Sequence, residues 1–351
     1  MRILMLNTEK GWRGGERQTL LSMMGLRDAG IEVQLLCLCD RPLFAKASDA
    51  GFSPVGIKNQ AAAFIWIVRH AGRFSLLHAQ SSRIFGFAAF AKVCTRTPLV
   101  YTRRVDFMPR GAVTRWKYRQ ADALAAISFA IRDVLRTAGV GEAEVISSIV
   151  SGHIPDGSRA RRFEQEHGLA GKRVVGVIAA LVGHKDPLTM VRAACRVINQ
   201  ASDVVFVHFG DGLLRNDVLN ACRQEGIEKQ YLLAGYVDTV EDFFPLFRCF
   251  AMSSREEGLG STVLDAFTAR VPVASTAAGG LAELVRDRGL VSPVGDDAAL
   301  ADNIIRLLSD RRQADGFTDA AAGYVVRHHG RDVITAKYIA LYRKVLGIES
   351  V

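Results

Sequence analysis

The sequence predicts an α/β protein made of two doubly wound domains, each with a parallel sheet. Three observations carry that expectation. At 351 residues the chain exceeds the roughly 250–300 at which a single hydrophobic core stops growing. Short apolar runs alternate with helical patterns from end to end, as strand-helix-strand units require. Between the halves, SGHIPDGSRARRF (residues 151–163) mixes Gly, Pro, Ser and Arg in the manner of a linker. The expected domains are residues 1–152 and 153–330, with 331–351 a terminal helix.

In order along the chain, RILMLN (2–7) reads as a buried strand, 16–29 as a helix closed by Gly30, and IEVQLLCL (31–38) as the next strand. SLLHAQ, PLVYT (98–102) and ALAAIS (123–128) continue the first sheet, with helices near 61–72, 84–94 and 112–121. The second half restarts with RVVGVIAAL (173–181), a helix from about 187 to 199, VVFVHFG (204–210), a helix near 213–225, YLLAGY (231–236) and FRCFAMSS (247–254). VPVAST and GLVSP supply further strands, followed by helices near 297–309 and 331–346.

Composition narrows the class. Hydrophobic residues make up 49% and charged residues 23%, ordinary for a water-soluble enzyme, and no apolar run reaches the ~18 residues of a membrane span. The opening MRILMLNTEKGW breaks too early into polar residues for a signal peptide, so a cytoplasmic location is expected. Six scattered cysteines with no C-x-x-C read as reduced thiols packed as small hydrophobes. The net charge of +9 is concentrated in residues 83–119, where Arg83, Lys92, Arg96, Arg103, Arg104, Arg110, Arg115, Lys117 and Arg119 face Asp106 alone, a balance of +8. Such a segment is either a solvated basic face or a docking surface for anionic lipid headgroups or a phosphorylated acceptor. No nucleic-acid-binding motif accompanies it, so nucleic acid is not the expected partner.

Six stretches carry candidate chemistry. SSREEGLGSTVLDAFTARVPVASTAAGG (253–280) sets Glu257 and Asp265 eight positions apart across Gly258-Leu259-Gly260 and the start of a helix that Ser261 or Thr262 could cap. Open N–H groups there favour an anion, and the carboxylates favour hydroxyls, so a phosphorylated, hydroxyl-rich ligand fits. WRGGERQTLL (12–21) places Gly14 and Gly15 between the first strand and helix, a phosphate-binding position, but it is not G-x-G-x-x-G and disfavours a nicotinamide cofactor. IAALVGHKDPLTMVRAA (178–194) puts Lys185 after the first strand of the second domain, and HFGDGLLRNDV (208–218) makes a tight turn with Gly210 and Gly212. LLHAQSSRIFG brings His78, Ser81 and Arg83 to a strand end, and YTRRVDF (101–107) does the same for Arg103, Arg104 and Asp106. A guanidinium pair there suits an anionic acceptor, or salt bridges internal to the domain.

Taken in order, these motifs resemble the family 4 glycosyltransferases, retaining enzymes of the GT-B fold in which two Rossmann-like domains face across a cleft. The resemblance implies an N-terminal acceptor domain, a C-terminal nucleotide-sugar domain and a terminal helix 331–351 that packs back on the N-terminal domain. It implies that Gly14, Gly15, Lys185, Gly210, Gly212, Glu257, Leu259, Gly260, Ser261 and Asp265 bind the donor, with Lys185 on the leaving diphosphate, Glu257 on sugar hydroxyls and Asp265 on the ribose. His78, Ser81, Arg83, Arg103, Arg104 and Asp106 are expected on the acceptor side, and Lys185, Glu257 and His78 in catalysis. Three positions depart from the pattern: Ala180 replaces the usual Arg partner of Lys185, Gln80 a second His, and Asp265 the second Glu of E-x7-E. No D-x-D stands at a strand end, so neither a metal nor any other cofactor is expected beyond the donor itself.

The expected activity is transfer of a sugar, with retention, from a nucleotide-diphosphate sugar to a hydroxyl of a glycan or glycolipid, as in cell-surface polysaccharide or lipopolysaccharide assembly, by an enzyme peripheral to an anionic membrane. A nucleotide-sugar epimerase of the same fold and a sugar-nucleotide-binding protein without catalysis are the alternatives.

Overall fold

The computed structural model describes residues 1–153 and 155–348. Two compact units share them: Met1–Ile149 together with the chain from His328 onward, and Val150–Arg327.

The first unit holds a seven-stranded sheet in the order β3-β2-β1-β4-β5-β6-β7. Its strands are β1 (Arg2–Asn7), β2 (Glu32–Leu38), β3 (Val55–Ile57), β4 (Leu76–Ala79), β5 (Leu99–Arg103), β6 (Ala123–Ala126) and β7 (Ala143–Val145), all paired in parallel. The helices between them are α1 (Gly14–Asp28), α2 (Pro42–Asp49), α3 (Gln60–His70), α4 (Ser82–Thr95), α5 (Ala112–Arg119) and α6 (Phe129–Thr137). β4 and β5 are buried along their whole length, as strands covered on both faces must be. Gly30 ends the first helical segment at φ +76°, with the Ile31 N–H returning to the Leu26 carbonyl.

The second unit holds six parallel strands in the order β10-β9-β8-β11-β12-β13: β8 (Arg173–Ile178), β9 (Val204–Phe209), β10 (Tyr231–Gly235), β11 (Phe247–Met252), β12 (Val273–Thr276) and β13 (Leu290–Ser292). Helices α7 (Gly157–Glu166), α8 (Pro187–Gln200), α9 (Arg215–Gln224), α10 (Ser261–Thr268), α11 (Gly280–Val285) and α12 (Asp297–Ser309) accompany it. Its core joins Val175, Phe206 and Ala251 of the sheet to Met190 and Val197 of α8 and Ile304 of α12. After α13 (Arg311–His329), the last helix α14 (Arg331–Leu346) buries Ile334, Tyr338, Leu341 and Tyr342 in the core of the first unit beside Met5, Met23 and Val100. Gly25 of α1 makes room for it, since a Cβ there would sit 2.1 Å from Thr335 Oγ1.

The stretch expected as linker is a helix in its second half. Asp156 caps α7, accepting from the Ser158 N–H at 2.9 Å, and Phe163 packs with ring centroids 5.5 Å from Phe209 and 5.3 Å from Phe243. The capping signature was hidden among Gly, Ser and Arg. All six cysteines are free thiols.

Candidate functional site

In both sheets the winding reverses once: between β1 and β4 in the first unit, and between β8 and β11 in the second. Loops leaving the carboxyl ends of two such neighbours diverge to opposite faces and leave a crevice, the ligand position of open α/β sheets.

In the second unit the loops after β8 and β11 are joined by a dense set of bonds. The Arg255 N–H donates to the His184 carbonyl at 2.8 Å, and Ser253 Oγ donates to the Asp186 carbonyl at 2.9 Å. Asp186 adopts φ +46°, caps α8 by accepting from Thr189 N and Oγ1, and takes an ion pair from Arg255 Nε at 2.7 Å. This arrangement brings Lys185 Nζ onto Glu257 Oε2, both side chains mostly buried. Asp186 is not among the site residues expected from the sequence. Its signal was present, because Asp followed by Pro at the first helical position and Thr two residues later is an N-cap pattern.

Glycines hold the neighbouring loops at backbone contact. A Cβ on Gly210 would lie 2.0 Å from the Ala179 carbonyl oxygen, and one on Gly212 would lie 2.4 Å from that of Leu181. These glycines therefore seat their turn against the strand-to-helix loop that carries Lys185. On the other side Gly260, at φ +87°, packs on Leu281, and a Cβ on Gly280 would sit 2.3 Å from the Gly258 oxygen. Gly260 is the N-cap of α10 and supplies no side-chain cap. The expectation that Ser261 or Thr262 caps the helix does not hold: both lie within it, and Thr262 Oγ1 turns to Met252 Sδ. Leu259 is buried, and Asp265 is buried on α10. Ala180 contributes no charge to this edge.

In the first unit, α1 begins two residues earlier than expected, so Gly14 and Gly15 form its first turn. Glu16 fixes that start by accepting from the Arg13 N–H at 2.8 Å, and Thr19, bonded to the Gly15 carbonyl, ties it to Asn7 at the end of β1. Arg104 lies beside it: its Cδ would be 3.7 Å from a Cβ on Gly15, and its guanidinium donates to Gln80 Oε1 at 2.7 Å. Arg104 Nε and Ser81 Oγ are buried with no hydrogen-bond partner among the described residues. Arg83 is exposed and pairs with Glu9 at 3.5 Å, and Asp106 is half-buried in the loop after β5.

Two expected site residues are not available to a ligand. His78 is fully buried, with Nδ1 2.6 Å from the Tyr342 hydroxyl and Nε2 2.7 Å from Thr102 Oγ1. Burial, aided by the Arg104 charge, pushes it from 6.5 down to about 3, so it is a neutral structural ring that fastens β4 to α14. Arg103 is also turned inward: Nε donates to the Val105 carbonyl at 2.9 Å, and its terminal nitrogens bond the Tyr118 hydroxyl and the Phe107 carbonyl. It braces the loop after β5. Gln80, absent from the expected set, is the residue that positions Arg104.

Both halves of the chain have sequence counterparts in known proteins. A family profile described as "Glycosyltransferase Family 4" matches residues 12–151, and one described as "Glycosyl transferases group 1" matches residues 172–310. The chain belongs to the family 4 glycosyltransferases. Among curated relatives, this glycosyltransferase is 25% identical over 271 residues to the 2-deoxystreptamine glucosyltransferase of Streptomyces kanamyceticus, covering 74% of this chain and 70% of the relative. It is 26% identical over 170 residues to the lipopolysaccharide core biosynthesis glycosyltransferase LpsE of Rhizobium meliloti, 48% of this chain and about half (49%) of that protein. In fold it is similar to Anabaena Alr3699/HepE, solved with UDP and with UDP-glucose. The UDP-glucose complex superposes with TM-score 0.85 at 19% identity over 98% of this chain and 100% of the other. The fold of this glycosyltransferase is GT-B.

Proposed function

We propose that this enzyme moves a sugar, with retention of anomeric configuration, from a nucleotide-diphosphate sugar to a hydroxyl of a glycan or glycolipid of the cell-surface polysaccharide or lipopolysaccharide type. The observation that carries the donor assignment is the meeting of Lys185 and Glu257 at the winding reversal of the second sheet, between glycine turns that admit no side chain. An ammonium beside a carboxylate offers one group to phosphate and the other to sugar hydroxyls. Asp265 and the first turn of α10 take the ribose and the diphosphate in this reading, and the UDP and UDP-glucose bound to the Anabaena neighbour favour a uridine donor.

Lys185 and oriented N–H groups stabilise the departing diphosphate, the largest contribution expected in such a site. The bond from the anomeric carbon to the β-phosphate oxygen breaks, the acceptor oxygen bonds that carbon on the same face, and the acceptor proton passes to the departing phosphate oxygen. Metal independence belongs to the same proposal, motivated by the missing D-x-D. Acceptor contacts fall to Arg104, Ser81, Arg83 and Asp106, with His78 and Arg103 confined to structure. The basic segment 83–119 draws the enzyme to an anionic membrane face on the cytoplasmic side. A thermal-shift screen against UDP, GDP, ADP and CMP sugars, followed by transfer and hydrolysis assays in excess EDTA, tests this reading. Stabilisation by a uridine sugar and turnover that survives EDTA are expected; no stabilisation by any nucleotide sugar sinks it.

A further inference from the structure

Helices α3, α4 and α5 enclose an open groove of about 700 Å³ with a wholly apolar lining, formed chiefly by Phe64, Ile65, Phe87, Phe90, Val93 and Trp116. These side chains are not covered from outside: Ile65 is 48% exposed, Phe90 50% and Val93 58%. A contiguous apolar surface of this kind on a water-soluble face marks a contact site, because scattered exposure of single residues would not produce a groove. Phe90 and Trp116 pack against each other with ring centroids 4.4 Å apart and planes tilted by 37°.

The helices that line the groove carry charges of one sign. The three helices carry Arg69, Arg83, Lys92, Arg115, Lys117 and Arg119 and not one Asp or Glu. Only Arg83 and Lys92 of these six have carboxylate partners among the described residues, Glu9 and Asp122. A second copy of the chain is a poor occupant, because a two-fold contact would lay these cations against their own copies. An apolar trough on helices whose cations mostly lack carboxylate partners matches the chemistry of an anionic bilayer surface, where phosphate headgroups lie just above acyl chains.

We propose that this groove takes up acyl chain from a bilayer of anionic phospholipid and anchors the enzyme by insertion, beyond the purely electrostatic attraction of the basic segment. The proposal rests on the membrane reading above and deepens it. Electrostatic attraction is screened at ~0.5 M salt, where the Debye length falls to a few ångströms, whereas buried apolar area is not. The two contributions are therefore separable by salt.

The test uses the full chain and vesicles of phosphatidylglycerol and phosphatidylcholine. One arm follows Trp116 emission in a Trp12→Phe, Trp66→Phe background with lipids brominated along the acyl chain. The other measures sedimentation at low and ~0.5 M salt for the wild type and the Ile65→Ser, Phe90→Ser, Val93→Ser triple variant, whose positions are exposed. The proposal expects quenching of Trp116, vesicle binding by the wild type that persists at ~0.5 M salt, and at least tenfold loss of that persistent binding in the triple variant, with low-salt binding and nucleotide affinity kept. Low-salt binding without quenching or a salt-resistant fraction overturns the insertion proposal and leaves electrostatic docking standing. No binding under any condition overturns both. Self-association of the lipid-free protein that the triple variant abolishes also overturns it, assigning the groove to a second copy. The quenching arm does not depend on the triple variant folding.

Discussion

Replacing His78 with Gln separates a structural histidine from a catalytic one. The ring satisfies two buried hydroxyls, Tyr342 at 2.6 Å and Thr102 at 2.7 Å, and leaving such groups unpaired costs about 1–3 kcal/mol each. Gln recovers part of this, so a loss of roughly 2–4 kcal/mol at pH 7 is expected in urea unfolding followed by circular dichroism. The pH dependence gives a sharper signature. Because the folded-state value is depressed from 6.5 to about 3, the unfolded chain binds the proton first, and stability is fully present above 6.5 and falls as pH drops towards 3. Between pH 7 and pH 5 this one group removes about 2 kcal/mol from the wild type and nothing from the variant. The gap between the two proteins should therefore narrow by about that amount on going to pH 5, while turnover at pH 7, scaled to folded protein, stays within threefold. A gap independent of pH, or a turnover loss of a hundredfold in a stably folded variant, would refute the assignment.

Other consequences follow from the donor-side loops. Gly212→Ala sets a methyl 2.4 Å from the Leu181 carbonyl oxygen, a backbone atom that cannot swing aside, so a stability loss of ~1–3 kcal/mol and weaker nucleotide binding are expected. Melting unchanged from the wild type would show that the loop yields freely; Gly316→Ala, with open space around it, serves as the control. Asp186→Ala removes the cap of α8 and the Arg255 partner together, with a loss of about 1 kcal/mol from the cap and a raised donor KM, whereas Asp186→Asn keeps most of the cap. Equal KM values for the two variants would argue against a positioning part for Asp186. Asp265→Ala is expected to weaken nucleotide affinity with little change in turnover at saturation, and calorimetry showing unchanged affinity would remove the ribose assignment.

The architecture was legible because the central strands of both sheets are buried and read as near-continuous apolar runs such as ILML in β1 and VVFV in β9. What escaped was short or locally polar: β3 and β7 have three residues each, and α7 is capped by an aspartate inside a linker-like composition. On the donor side the relevant residues lie close in sequence to the strands that position them, so Lys185 and Glu257 could be named in advance. On the acceptor side the decisive partners are remote. His78 is bonded to Tyr342, 264 positions away, and no local pattern around LLHAQ reports that. Arg103 and Arg104 are adjacent and chemically identical, yet at the end of β5 one turns into the loop brace and the other lies beside Gly15.

The central claim is that Lys185, paired with Glu257 at the reversal of the second sheet, stabilises the departing diphosphate. Steady-state kcat/KM for Lys185→Ala, with the donor found in the thermal-shift screen, tests it most directly. Removing one electrostatic donor of this kind costs about 2–4 kcal/mol of transition-state stabilisation, which is a fall of roughly 30- to 1000-fold at unchanged folded content. A value within threefold of the wild type would contradict the account.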